Sequence, residues 1–386
     1  MRKIGIGLIG CGGRLRDVVK HLTRATDQVE VVALFDPNPQ SIKAAQEAFN
    51  PDARVYGDYL ELVRDPALDW VMIGSWNCFH ARQAVAALEA GKNVFCEKPL
   101  ALSAADCIAM RDAWRASQKM FIIGFTLRFS PHYHRIKEII SSGRIGKIRS
   151  LEFNETLHFD HGGYIHSDWR RKTEWAGSHL LEKCCHDLDL VNWMTDSVPV
   201  KVASFGGCDF FKPENAYHVA RLGQAPGGKV PFSTWDVTSE AGRLTTPFSD
   251  DKDIVDNQVA IFQFANGVRV SFHTDCATAI FERRMVLCGT EGTLRSDVVT
   301  GQIEVERFGY NMVREDCRTD ASGGHGGGDE VLGQGLADSI LHGKPPPASL
   351  DEGLRAAFAA FGADEALRTG TVVDMMPLWR QAGIEL

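Results

Sequence analysis

The chain has 386 residues, enough for two domains at roughly 150 residues each. Its 42 Lys plus Arg against 50 Asp plus Glu leave a net charge of −8, a poor match to nucleic acid or to an anionic membrane surface. With 44% hydrophobic residues, and no apolar run near the ~20 residues of a membrane helix, neither a disordered chain nor a membrane span is expected. Ten cysteines without a C-x-x-C pair or a dense framework read as reduced thiols and point to a cytoplasmic protein.

In chain order, an apolar run at 4–9 closed by glycines predicts a buried parallel strand, with a helix over 15–25. A second strand at 29–35 stops at Asp36-Pro37-Asn38-Pro39. Helix 41–49, strand 71–74, helix 81–90, strand 93–96, helix 104–117 and strand 121–124 follow. This alternation predicts βαβ units, and so a doubly wound, Rossmann-type parallel sheet over residues 1–124. From 125 to 386 the rhythm changes. A helix is expected at 131–142, a half-buried strand at 147–156, a loop at 158–172, a helix over 177–196 and a strand at 200–208. Residues 209–250 read as a long irregular insertion. A hairpin turns at Asn266-Gly267, a meander continues to 308, and helices over 330–342 and 351–369 close the chain. The fold class is therefore α/β, with a second α+β domain built on a mostly antiparallel open sheet. The closing helices have the option of packing back on the first domain.

Gly10-Cys11-Gly12-Gly13-Arg14 stands between the first strand and its helix. In a G-x-G-x-x-G turn the first glycine permits the tight turn. The second lets the backbone approach a pyrophosphate, which rests on the helix N-terminus. Leu15 holds the third position, so the pattern is incomplete. Asp36, 24 residues beyond Gly12, stands where an acid bonds the adenosine ribose, and its charge disfavours a 2′-phosphate. The expected cofactor is NAD, with Gly10, Gly12, Gly13, Arg14 and Asp36 around it. An ordinary βα turn and a turn-capping Asp before Pro37 are the plainer alternatives.

Further motifs follow in order. His80 precedes Ala84-Val85-Ala86-Ala87-Leu88, residues 90–100 read A-G-K-N-V-F-C-E-K-P-L, and Gly124-Phe125-Thr126-Leu127-Arg128-Phe129 comes next. Gly143-Arg144-Ile145-Gly146 and an H-x-x-D pair, His186 and Asp189, complete the series. Over residues 1–195 the chain resembles the glucose–fructose oxidoreductase / inositol dehydrogenase / MocA-like (Gfo/Idh/MocA) oxidoreductase family. Beyond 209 the likeness rests on general architecture and Gly289-Thr290-Glu291-Gly292. The resemblance implies an NAD-dependent oxidoreductase that takes a hydride from a ring hydroxyl of a sugar, glycoside or polyol. It implies cofactor contacts from Ser75, Trp76, His80, Glu97, Lys98 and Arg128. It also implies a Lys–Asp–His catalytic cluster, here Lys98, Glu182 and His186, and a homo-oligomer, dimer or tetramer. The family includes NAD-dependent glycosidases that oxidise transiently, most often at C3, then eliminate, hydrate and re-reduce. A non-catalytic NAD-sensing regulator is a further reading. Ser75-Trp76 replaces the family's Thr-Pro, Glu182 its Asp and Cys184 its Gly, departures that bear on the substrate.

Oxidising a secondary alcohol needs a hydride acceptor and a base. Lys98 stands at a strand's carboxyl end, where doubly wound sheets hold their ligands. Glu182 and His186 are i and i+4 on the expected helix, with Asp189 three further on, so an imidazole lies between carboxylates. His186 is the expected base, Lys98 the cation that lowers the alcohol's pKa, and Glu182 the holder of a substrate hydroxyl or of Lys98. Glu182, His186 and Asp189 would also offer a metal three ligand types on one face, but no metal is expected, since Cys184, Cys185 and His186 splay about 100° apart on a helix and cannot chelate together. Tyr164 and Trp169 suggest a sugar platform. Arg170, Arg171 and Lys172 suit a carboxylate, phosphate or sulfonate on an anionic substrate. Lys183, Asp189 and His325, the last within glycine-rich 323–329, complete the expected substrate contacts. A solvated basic loop and a flexible glycine linker are the plainer alternatives.

Overall fold

The computed structural model describes residues 2–223, 231–232, 246–320 and 322–386. They form two units, Met1–Pro131 with Ser322–Ala357, and His132–Ala321 with Phe358–Leu386.

The first unit holds strands β1 (Ile4–Ile9), β2 (Val29–Phe35), β3 (Arg54–Val55), β4 (Trp70–Ile73), β5 (Asn93–Cys96) and β6 (Phe121–Ile123). All pairs are parallel, in the order β3-β2-β1-β4-β5-β6. Strand order reverses between β1 and β4, so the crevice at their carboxyl ends is where a ligand binds in such sheets. The helix Gly13–Ala25 buries Leu15, Val18, Val19 and Leu22, the i, i+3, i+4, i+7 face its sequence offers. The helix Gly328–His342 shares that core through Leu332, Leu336 and Ala337. Gly333 permits the approach, because a Cβ there would stand 2.5 Å from the His21 carbonyl oxygen. This helix, counted with residues 125–386 in the sequence but left the option of packing back on the first domain, lies in the first unit.

The second unit carries β7 (Ile148–His158), β8 (Pro199–Gly207), β9 (Asn257–Phe264), β10 (Arg269–Thr278), β11 (Arg284–Gly289), β12 (Gly292–Asp297), β13 (Gln302–Arg307), β14 (Glu315–Asp316) and β15 (Val373–Asp374). Their order is β14-β13-β12-β11-β7-β10-β9-β8-β15. Among the described residues the β7–β10 pair is parallel and the other pairings of this sheet are antiparallel, with the expected hairpin joining β9 to β10. Along β9 every second residue is buried, so one sheet face is covered and the other meets solvent.

Three expectations are corrected here. Residues 158–172 are not a loop. They form a helix, Phe159–Ser167, and a turn of 3-10 helix, Trp169–Arg171. The glycines of this stretch serve close packing: a Cβ on Gly162 would lie 1.8 Å from the Cys276 carbonyl oxygen, and one on Gly163 2.3 Å from that of Phe232. The helix expected over 177–196 is broken into His179–Glu182 and Cys185–Thr195, so Glu182 and His186 do not share one continuous helix. The insertion is not wholly irregular. It contains a short helix, Tyr217–Leu222, and its Phe211, Phe232 and Phe248 are buried with Leu157, Ile165 and Cys276. Each such ring contributes roughly 1.5–3 kcal/mol by leaving water. Residues 224–230 and 233–245 of the insertion lie outside the described set. Among the described residues no helix is long and apolar enough to cross a membrane.

Candidate active site

In the first unit, Gly10 has φ +82°, and a Cβ there would stand 2.4 Å from the Ser75 backbone nitrogen, so the turn requires glycine. The helix that follows starts after Gly12, and no side chain caps its first N–H groups. A Cβ added to Gly13 would project into open space. An uncapped helix N-terminus beside open space is a cradle for a phosphate group, so these residues fit a dinucleotide. Asp36 accepts from the Cys11 N–H at 2.6 Å and from the Asn38 N–H at 2.7 Å. The acid is thereby fixed against the glycine turn, as ribose recognition requires.

At the end of β5, Glu97 is 7% exposed. Its Oε1 accepts from Arg14 Nε at 3.1 Å and its Oε2 from the Lys98 N–H at 3.3 Å. Arg14 also donates to Asp329 Oδ1 at 2.8 Å and to Thr126 Oγ1 at 2.7 Å. His325 Nδ1 lies 2.7 Å from Asp329 Oδ2. Burial alone would raise the Asp329 pKa, but His325 and Arg14 hold it well below the carboxylate range. Arg14 and His325, expected at the cofactor and at the substrate, are thus links of one chain of charges ending at Glu97. Lys98 is half-buried at the head of the Lys98–Pro99 turn. His80 and Arg128 are buried and bond backbone carbonyls: His80 those of Pro99 and Ser75, Arg128 that of Pro347 at 3.4 Å. Both brace the walls of the unit. Ser75 Oγ donates to Gln83 Oε1 at 2.6 Å, and the neighbouring Trp76 stays 37% exposed.

In the second unit, Glu182, His186 and Asp189 are buried around the helix break. Glu182 Oε1 accepts from Arg170 Nε at 3.2 Å. The same guanidinium bonds the Tyr164 hydroxyl at 2.9 Å and Asp168 Oδ2 at 2.5 Å, and lies 4.4 Å from the Trp169 ring centroid. Arg171 and Lys172 both pair with Asp251. The basic cluster expected to await an anionic substrate is therefore already matched by carboxylates. Lys183 pairs with Glu155 at 3.2 Å. Arg283 reaches the same Glu155 oxygen at 3.0 Å and grips Asp187 with two bonds of 2.7 Å. Against burial, Arg283 and Lys183 hold the Glu155 pKa low, whereas burial and the nearby Glu155 push Asp187 up.

Sequence reasoning missed His161, Glu155, Asp187 and Arg283. His161 is half-buried, three residues before Tyr164 on the unforeseen helix. Burial, with Lys183, pushes its pKa down to about 3, so it stands neutral among charges. The helical spacing of His161 and Tyr164 was the available signal. Glu155 and Arg283 are brought together by sheet pairing and carry no local motif. Among the described residues, the groups within metal-ligand distance of one another are Glu155, Cys184 and Asp187, not the considered trio Glu182, His186 and Asp189. Lys183 and Arg283 already balance those two carboxylates.

Residues 4–125 match the family model described as an oxidoreductase family with an NAD-binding Rossmann fold, and residues 133–295 match the GFO/IDH/MocA C-terminal domain. The chain belongs to the Gfo/Idh/MocA oxidoreductase family. It is 32% identical over 197 residues to an inositol 2-dehydrogenase of Gluconacetobacter diazotrophicus, a match covering 50% of this chain and 55% of that protein. The chain thus spans about half the length of that relative. A putative oxidoreductase of Bacillus subtilis, YteT, is 24% identical over 369 residues, 84% of this chain and 85% of its own. A levoglucosan dehydrogenase solved with NADH and levoglucosan shares the fold, with a TM-score of 0.77 at 20% identity, covering 97% of this chain and 100% of that one.

Proposed function

We propose that this Gfo/Idh/MocA chain is an NAD-dependent dehydrogenase of a ring hydroxyl on an uncharged sugar or cyclic polyol. The observation that carries the reading is Glu97-Lys98, pinned by Arg14 at the carboxyl end of β5 beside a turn that fits a dinucleotide. Gly10, Gly12 and Gly13 would hold the pyrophosphate and Asp36 the adenosine ribose. When bound, NAD supplies the hydride acceptor. Lys98 lowers the pKa of the reacting hydroxyl, His186 removes its proton, and Glu182, steadied by Arg170, binds a hydroxyl of the substrate. The inositol and levoglucosan specificities of the relatives fit such a substrate. Its neutrality is favoured because Arg170, Arg171, Lys172 and Lys183 each already face a carboxylate. The chain is also proposed to form a homo-oligomer. Phe205, Val259 and Ile261 are exposed side by side on one face of β8 and β9, an apolar surface that a second copy would cover.

The test is incubation with NAD and a panel of cyclitols, pyranoses, their glycosides and their acid forms, following NADH absorbance and aglycone release together. NADH accumulating in step with a neutral substrate supports the reading. Aglycone release with no lasting NADH would replace it with the glycosidase route, and no reaction across the panel would remove the dehydrogenase reading for these substrates.

A further inference from the structure

Strands β4 and β5 pair as far as Ile73 and Cys96, and the Glu97 N–H still donates to the Ile73 carbonyl at 2.9 Å. Beyond this point the two chains part. One turns through Ser75 to Phe79, the other through Lys98 and Pro99. His80, the first residue of the helix His80–Glu89 and fully buried, bridges them. Its Nδ1 lies 2.8 Å from the Pro99 carbonyl oxygen and its Nε2 3.1 Å from that of Ser75.

Both partners are carbonyl oxygens, which accept and never donate. A neutral imidazole carries one N–H and satisfies one of them. The other contact would then set a nitrogen lone pair against an oxygen lone pair at hydrogen-bond distance. Turning the ring over would bring ring carbons to both carbonyls, which is worse. An imidazolium donates to both. The ionisable groups facing the ring are Glu97 and Lys98, both following β5. The carboxylate favours the second proton and the ammonium opposes it. Burial pushes the imidazole pKa below its ordinary value, while the two carbonyls work against that shift.

We propose that His80 is a positioning residue for Lys98. Donating from both ring nitrogens, it ties the Ser75 carbonyl to the Pro99 carbonyl and fixes the turn on which Lys98 stands. It takes over where the backbone ladder ends, and loss of its second proton releases one of the two turns. The proposal rests on the reading that Lys98 acts in hydride transfer.

The test uses the full chain with 15N-labelled histidine, the His80 signals being assigned by their loss in His80→Phe. Burial lowers the pKa, so both ring nitrogens should carry protons over an acid range that ends below the ordinary imidazole pKa, and kcat relative to His80→Gln should fall as the second proton leaves on raising the pH. His80→Phe should lower kcat roughly ten- to a hundredfold, the cost of a misplaced catalytic group, with the NAD Kd changed by less than about threefold. His80→Gln, which still donates, should recover part of the loss. A ring with one protonated nitrogen throughout that range, or an unchanged kcat in His80→Phe, would overturn the proposal. If His80→Phe does not fold, the wild-type nitrogen signals, assigned with His80→Gln, decide. Full turnover in Lys98→Ala would instead remove the reading beneath the proposal, and the nitrogen signals would still report whether His80 holds both carbonyls.

Discussion

Replacing Arg14 with glutamine should both destabilise the first unit and weaken NAD binding. The side chain makes three bonds, to Glu97, Asp329 and Thr126, two of them to carboxylates. Those carboxylates retain 9% and 11% side-chain exposure, so removing their cation leaves two poorly hydrated charges. Breaking a buried pair costs about 3–5 kcal/mol. Arg14 itself is 34% exposed, and solvent screening moves the figure to the lower end, about 3 kcal/mol. Urea unfolding monitored by circular dichroism measures this loss, and titration of NAD against tryptophan fluorescence measures the second effect. A Glu97 no longer held should weaken NAD by about tenfold, equivalent to ~1.4 kcal/mol. Asp329→Asn should reproduce part of the loss, and the double variant should lose less than the sum, by about 1–2 kcal/mol, because the two groups share one bond. A loss below ~0.5 kcal/mol with strictly additive variants would show that the chain from His325 to Glu97 transmits nothing.

Asp36→Ser should narrow the preference for NAD over NADP by removing the charge that opposes a 2′-phosphate; parallel titrations of the two cofactors show it, and an unchanged ratio would place discrimination elsewhere. Arg170→Ala should lower kcat about a hundredfold by releasing Glu182, and equally for neutral and acidic substrates; a loss confined to acidic ones would restore an anion-binding role. Lys98→Ala and His186→Ala should each lower turnover by about 10²–10⁴-fold while NAD still binds. Asp364 Oδ2 accepts from Ser178 Oγ at 2.6 Å, and burial pushes its pKa up to about 7 against that bond. The folded chain then holds this proton more tightly than the unfolded one. The resulting stability is complete below pH ~4 and lost as pH rises towards 7. The residue keeps some solvent contact, so Asp364→Asn should remove at most about 4 kcal/mol of pH dependence across that window; an identical pH–stability curve would contradict the shift.

The Rossmann half was legible because its strands are buried on both faces and its helices alternate with them. β1, β2, β5 and the helix Ala104–Ser117 fall at the residues that periodicity indicates. The glycine turn, Asp36 and Lys98 were legible for the same reason, being set at strand ends by local sequence. Glycine misled in the second unit. At Gly162 and Gly163 it marks close packing against Cys276 and Phe232, neighbours that are remote in sequence. The break at Lys183 and Cys184 was hidden because apolar residues continue through it at helical spacing, while the Lys183–Glu155 pair lies across to β7. The pairing of Arg170 with Asp168 and Glu182 was beyond reach too. A run of basic residues looks alike whether it awaits a ligand or has already met its carboxylates.

The central claim, hydride transfer from a substrate carbon to NAD, is tested most directly with a cyclitol or pyranose, chosen from the panel, that carries deuterium at the reacting carbon. Mass spectrometry of the cofactor after turnover should find one deuterium per NADH, with this labelled NADH formed about 10²–10⁴-fold more slowly by Lys98→Ala. NADH free of deuterium, or labelled NADH formed as fast by the Lys98→Ala chain, would contradict the account.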